Sequence, residues 1–281
     1  MRISVDYSTS YDYAAVASDV VQLLRVEPGA HDGQHVLHWR LDTDVDGHLR
    51  RSSDSFGNII HMFYADHPLQ RMTLHVSGEV DTYDTCGVIS HAADPLPPAV
   101  FLRATPLSTA DAGIRSLAKD CREENPLNTC HNLTNALFEL MSFDPDVTHS
   151  HTDAIHAFGL HAGVCQDYSH IFLAAARSLG IPARYVSGHL LRDDGLVVQP
   201  AGHAWVEAQI PDLGWVGFDP TNGAAVSESY LRVAIGLDYL DAAPVRGARR
   251  GGGAETLIVS VKTQDASDTG QSPIQSQSQS Q

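Results

Sequence analysis

Basic residues are scarce in this sequence: Lys and Arg total 18 against 34 Asp and Glu, a formal net charge of −16. A surface so acidic repels phosphate backbones and anionic lipid, which excludes nucleic acid and membrane as expected partners. Lys119 and Lys262 are the only lysines, so the chain offers few primary amines of its own. Cysteine is sparse too. Cys86, Cys121, Cys130 and Cys165 are too few and too irregular for a disulfide framework or a CxxC metal knuckle, and they read as thiols. No stretch approaches the roughly 20 apolar residues that cross a bilayer. The opening MRISVDYSTSYDY also lacks the basic head and apolar run of a signal peptide, so a cytoplasmic protein is expected. With no GxxxxGK[ST] loop, no DxDxDG calcium loop and no internal repeat, no cofactor is expected.

What is present suffices for a full core: 281 residues, 43% of them hydrophobic. Residues 1–92 carry short alternating runs, HVLHWRL (35–41), NIIHMFY (58–64) and RMTLHVSGEV (71–80), separated by turn-rich stretches, which predicts an all-β domain. The proline-rich 92–108 reads as a linker wrapping onto the next unit. From about 109 the spacing turns helical, with Leu133, Ala136, Leu137, Leu140 and Met141 in one stripe. A short helix over 152–158 takes Thr152 as its N-cap. Another starts near Val164 and is stopped by Gly180 and Pro182. Strands at 183–191, 202–210, 214–220, 231–236 and 255–262 complete an α+β core spanning 93–263, helices packed on an antiparallel sheet. The Gln/Ser-rich 264–281 has too little apolar surface to offset its ordering entropy and is expected to be a disordered tail.

The chemistry concentrates in 163–222. GVCQDYSH places Cys165 at the mouth of a helix, where free amides and the positive end of the dipole favour a thiolate and where the Cys165 amide is aimed at an oxyanion. GHAWVEA carries His203, and GWVGFDPTNG carries Asp219. His203 and Asp219 sit on strands joined by a tight turn, so they share a face only in a register whose opposed residue numbers sum to an even value, such as the one that pairs 210 with 214. That register is predicted. Singly, each residue has a plainer reading: a buried thiol, one of 16 histidines, and a turn-initiating Asp before Pro220. Together they form a nucleophile, a base and an orienting carboxylate in the order a triad requires.

Nearby residues are weighed the same way. Gln166 and Trp205 are candidate substrate-binding residues, Trp205 either walling the acyl site or filling the core. Asp167 suits the first helical turn as a cap. His149, His151, His156, His161 and His170 crowd Cys165, but their spacing fits no standard zinc pattern, and no metal is expected.

The three blocks GVCQDYSHIFLAAARSLGIPARYVSGHL, GHAWVEA and GWVGFDPTNG resemble the signature of the transglutaminase-like superfamily, in the bacterial branch with an extra N-terminal β domain. LRVEP (24–28), Asp54 to Asn58 in D-x-FGN, and VAIGLDYLDAAPVRG (233–247) are similar to stretches expected around that unit. Leu237 departs from the branch, which usually has Arg there, and this touches a secondary ion pair only. The resemblance implies a papain-like core with a Cys-His-Asp triad at Cys165, His203 and Asp219. It further implies acyl transfer on an amide or peptide carbonyl through a thioester, resolved by water (peptidase or amidase) or by an amine (transglutaminase). The rival is a binding module that grips a peptide or protein in the same cleft without turnover.

Overall fold

The computed structural model describes residues 1–194, 197–199 and 201–266. Arg2–Leu24 form a single strand, β1. Its odd-numbered residues from Ile3 through Tyr13, Thr9 among them, all turn inward, the period-two pattern of a sheet with one buried face. β2 (Gln34–Thr43), β3 (Gly47–Ser53), β4 (Ile59–Ala65) and β5 (Leu69–Thr82) follow. A strand as long as β1 needs partners along its whole length on both sides. One edge takes β5 and then β4, all antiparallel. The other edge takes strands from the far end of the chain, β15 (Val245–Gly251) and β16 (Glu255–Asp265).

That pairing changes the expected division at 92/93 and 263/264. The 255–262 strand belongs to the first sheet and not to the core sheet, because β1 supplies the open edge that it completes. The chain also enters the core before 93: β6 (Val88–Ile89) already pairs with a core strand. The tail expected over 264–281 yields its first residues to β16, and from 267 onward it lies outside the described residues.

The second unit begins with a buried Phe101 and the helices α1 (Ala112–Asp120) and α2 (Pro126–Leu140). In α2 the expected stripe is kept at Leu133 and Leu137, both fully buried. β7 (Ser142–Phe143) and β8 (Ala162–Gly163) form a short parallel pair around α3 (Ala154–Leu160). The N-cap of α3 is Asp153 and not Thr152: the Asp153 carboxylate accepts the His156 N–H, while Thr152 Oγ1 takes the His149 N–H in the preceding turn. α4 (Cys165–Ser178) follows at once. Every residue from Asp167 to Arg177 is buried, so α4 is a central helix, packed on the sheet and surrounded by α1, α2 and α3.

The core sheet contains β9 (Ala183–Leu190), β11 (His203–Ile210), β12 (Gly214–Asp219), β13 (Ala224–Ala225) and β14 (Tyr230–Gly236), in the order β13-β12-β11-β9-β14. β10 (Val198–Gln199), in the β9–β11 connection, pairs with β16, and α5 (Tyr239–Ala242) leads into β15. The architecture is α+β: a core of helices on an antiparallel sheet, joined to a β domain.

One face of this sheet is covered by α4; the other buries charge. Arg184 and Glu207 are both fully buried, with Arg184 Nε 2.5 Å and Arg232 Nε 2.8 Å from the Glu207 carboxylate. Asp94 binds Arg184 from outside, and the guanidinium lies 3.9 Å over the Trp215 ring. Burial pushes the Glu207 pKa up, but the two guanidiniums outweigh it and bring it down to about 2. Glu207→Gln leaves the largely enclosed Arg232 without its counter-charge and the buried Arg184 with Asp94 alone. We expect it to destabilise the fold by about 3 kcal/mol or more, read as a lowered urea midpoint at unchanged m-value; a midpoint within error of the parent refutes this account of the cluster.

Candidate active site

Cys165 is the first residue of α4, and its backbone amide has no acceptor within the helix. The entry to the helix is fixed by Asp167, which is 1% exposed. Its Oδ2 accepts the Val164 N–H at 2.8 Å and the Thr148 hydroxyl at 2.7 Å. A Cβ at Gly163 would stand 2.5 Å from that same oxygen, which is why only glycine fits two residues before the thiol. Asp167 therefore caps its helix as expected. Burial raises its carboxyl pKa, opposed by the Thr148 and Val164 hydrogen bonds.

β11 and β12 pair in the predicted register, Ile210 opposite Gly214 and Val206 opposite Phe218. His203, Trp205 and Asp219 thus share a face. His203 Nε2 lies 2.6 Å from Asp219 Oδ2, and the Cys165 side chain lies close enough to the ring to raise its pKa. His203 and Asp219 form a hydrogen-bonded pair, and Cys165 is their neighbour at the start of α4.

Asp219 is fully buried, and five donors satisfy it. Its Oδ1 accepts the Thr221 and Asn222 backbone amides at 2.9 and 3.3 Å. Its Oδ2 accepts His203, the Asn222 side-chain amide at 2.6 Å and the Tyr230 hydroxyl at 2.8 Å. Asn222 and Tyr230 were not singled out from the sequence. For Asn222 the signal was present: an Asp-Pro-Thr-Asn-Gly turn folds back on its own first side chain. Tyr230 comes from another strand, and nothing local marks it.

Gln166 is half-buried, and its amide donates to the Ser150 carbonyl at 3.2 Å, tying the preceding loop to the helix mouth. Trp205 is 1% exposed. It stacks near the His203 ring with centroids 6.2 Å apart and meets Tyr230 edge-on at 5.3 Å, so its indole is turned into the packing. His170 is fully buried, and its Nε2 accepts the Tyr239 N–H at 3.1 Å. Burial, then Arg177, lowers its pKa to about 3, which keeps it neutral. Among the described residues, no group of three or more His, Cys, Asp or Glu is placed to hold a metal ion. Leu237, at the position that departs from the branch, is buried, and its carbonyl accepts from Arg177 Nη2 at 2.7 Å.

Comparison with known proteins bears on family and fold. The profile of the transglutaminase-like superfamily matches residues 115–220, and that of the bacterial transglutaminase-like N-terminal region matches residues 3–81. An uncharacterized protein of Mycobacterium leprae is 30% identical across 93% of this chain and 98% of its own length. A protein-glutamine gamma-glutamyltransferase of Pseudomonas aeruginosa is 35% identical over 33% of this chain and 15% of its own. The crystal structure of a Cytophaga hutchinsonii protein described as a candidate cysteine protease superposes with a TM-score of 0.73 at 22% identity, covering 95% of this chain and 91% of that one. The chain belongs to the transglutaminase-like superfamily, in the group that carries the bacterial N-terminal β region. Among the described residues no helix is long and apolar enough to cross a membrane.

The His203–Asp219 pair also makes stability depend on pH. Burial lowers the His203 pKa, but hydrogen bonds to Asp219 and Cys165 and their charges outweigh it and raise it to about 10. Burial raises the Asp219 pKa, and the His203 contact more than reverses it. A raised histidine stabilises fully below its unfolded value of about 6.5 and loses that contribution as pH climbs through about 10. The lowered carboxylate contributes above its own unfolded value and loses it in acid. The melting temperature is therefore expected to fall between pH 6.5 and 10 in the parent, and Asp219→Asn is expected to flatten that slope. Parallel melting curves for both proteins across this range contradict the assignment.

Proposed function

We propose that the protein is a cysteine-dependent enzyme that transfers acyl groups from amide or peptide carbonyls through a thioester. The observation that carries this reading is the His203–Asp219 pair, its carboxylate fully buried, beside a Cys165 side chain that acts on the ring from the start of α4. The Cys165 thiolate attacks the carbonyl carbon, and the oxygen, now an anion, meets the free amide at the start of α4. His203, held as an imidazolium by Asp219, gives its proton to the departing nitrogen as the C–N bond breaks. The thioester remains. Water or a primary amine then attacks it, His203 takes the proton of the nucleophile, and the thiolate is released with a carboxylic acid or a new amide.

The kinship with a protein-glutamine gamma-glutamyltransferase supports carboxamide chemistry at such a site. The surroundings favour a protein segment as substrate. Phe143, 62% exposed, stands in register with Gly163 just before the thiol. Phe138, 52% exposed, abuts Gly223 in the turn after Asp219, so two apolar rings border the site from outside.

Cys165→Ala is expected to lower turnover by several orders of magnitude, because members of a triad act as a unit. Iodoacetamide is expected to label Cys165 near neutral pH well ahead of the buried Cys121 and Cys130, whose pKa values burial raises. Glutamine-containing peptides incubated with and without a primary amine, with products identified by mass, separate hydrolysis from transfer. Undiminished turnover in Cys165→Ala rules out the mechanism.

A further inference from the structure

The three flanking stretches noted in the sequence, around Arg25, Asp54 to Asn58, and 233–247, take no part in the site, yet they meet at one place. β14 is the edge strand of the core sheet: β9 covers one side of it, and its other side carries backbone groups that need partners. The β domain supplies them with two side-chain amides. Asn58, 5% exposed, donates to the Ile235 carbonyl and accepts the Ile235 N–H, both at 2.8 Å. Gln34, 1% exposed, donates to the Arg232 carbonyl at 2.9 Å and accepts the Arg232 N–H at 2.8 Å. A register shift between Arg232 and Ala234 adds one residue, which turns both 232 and 235 outward.

Each amide is itself held. Asp54 accepts the Asn58 side-chain amide and backbone N–H, each at 3.0 Å, and Arg25 Nε binds the same carboxylate at 3.0 Å. Gly57, at φ +85°, makes the turn, and a Cβ there would meet the Ala93 carbonyl at 2.4 Å. Gln34 Nε2 is shared with the Gly29 carbonyl at 2.7 Å. β14 begins with Tyr230, two residues before Arg232, and its hydroxyl reaches Asp219 Oδ2 at 2.8 Å. His31 and Gly33, beside Gln34, line a small cavity together with Trp205 and Tyr230.

We propose that the N-terminal β domain is part of the acyl-transfer apparatus: Gln34 and Asn58 fix β14 as a surrogate strand, and β14 fixes the Tyr230 hydroxyl on Asp219, so these are positioning residues for the carboxylate. This rests on the role given to Asp219 above. Titratable groups facing His203 are Asp219, Cys165 and Tyr230, whose ring centroid lies 6.0 Å from the imidazole, and those facing Asp219 are His203 and Tyr230. The Tyr230 hydroxyl shares the oxygen that binds His203 and draws charge from it. Releasing it leaves the carboxylate a stronger partner for the ring, so the His203 titration moves up.

The experiment follows the ring nitrogens of His203 by NMR against pH in the full chain labelled with 15N-histidine, a readout independent of turnover. Tyr230→Phe is expected to raise the midpoint by about half a unit, and Gln34→Met, of similar volume but without the amide, to raise it in the same direction. The double variant is expected to move no further than Tyr230→Phe alone, since both act through one hydroxyl. Asn58→Ala, at the other end of β14, gives a smaller shift of the same sign and serves if Gln34→Met does not fold. A parental midpoint in Gln34→Met or Asn58→Ala, or shifts that add in the double variant, overturns the proposal. Slow alkylation of Cys165 with these shifts intact would fault the acyl-transfer reading instead and leave the junction standing.

Discussion

A carboxylate with no exposure to water has to be paid for by donors, and Asp219 organises much of this molecule around that need. Its five donors come from three places: the turn that follows it, the neighbouring strand β11, and the edge strand β14. The turn is local and supplies three of them through Thr221 and Asn222. The histidine requires the β11–β12 register, because a slip of one residue would put His203 and Asp219 on opposite faces. The tyrosine requires that β14 sit at one height against β9, which the register shift and the two buried amides of the β domain settle. Sheet register, turn chemistry and domain docking are three solutions to one desolvation problem.

The same face of β11 carries His203, Trp205 and Glu207 in alternation, so two charged centres lie along one strand with an indole between them. The Glu207 centre has two guanidiniums for two carboxylates, Glu207 and the less buried Asp94; the Asp219 centre has one imidazole and neutral donors. Arg232 belongs to the first through its side chain, and through its backbone to the junction that holds Tyr230. Trp205 separates the two, filling the space that Gly188 leaves, where a Cβ would come within 2.5 Å of the ring. A residue that the sequence left open between a wall of the acyl site and a filler of the core is, in the fold, the spacer that keeps two buried charge systems apart.

The sequence carried the site better than the fold. Cys165, His203 and Asp219 each lie in a block whose local rules decide their geometry: a helix start, an alternating strand, and a strand end before a turn. The register that unites them follows from the two-ended constraint of a short hairpin. What escaped depends on distant pairing. β1 does not read as one strand because its alternation lapses at Ala14, Ala15 and Val16, all exposed, yet it continues unbroken once β15 and β16 lie alongside. The 255–262 run has the same composition as a core strand, and composition does not say which sheet it joins. At α3, Thr152 and Asp153 are both good caps, and the choice turned on which amide each could reach.

Because β1 pairs with strands from beyond residue 244, the core is an insertion within the first sheet and not an appended domain. The chain must bring its two ends together across the whole intervening core before β1 has both partners, a closure that costs entropy and gains nothing until the strands meet. The cost is offset where the ends come together. Arg25, just past β1, donates its backbone N–H to the Pro244 carbonyl just before β15 and its side chain to Asp54, which in turn aims Asn58 at Ile235. The hydrogen bonds that close the outer sheet are thus continuous with those that cover the edge of the inner one. A core excised from this sheet would keep Cys165, His203 and Asp219 in its sequence but would lose the partners of β14, and with them the element that brings Tyr230 to the buried carboxylate.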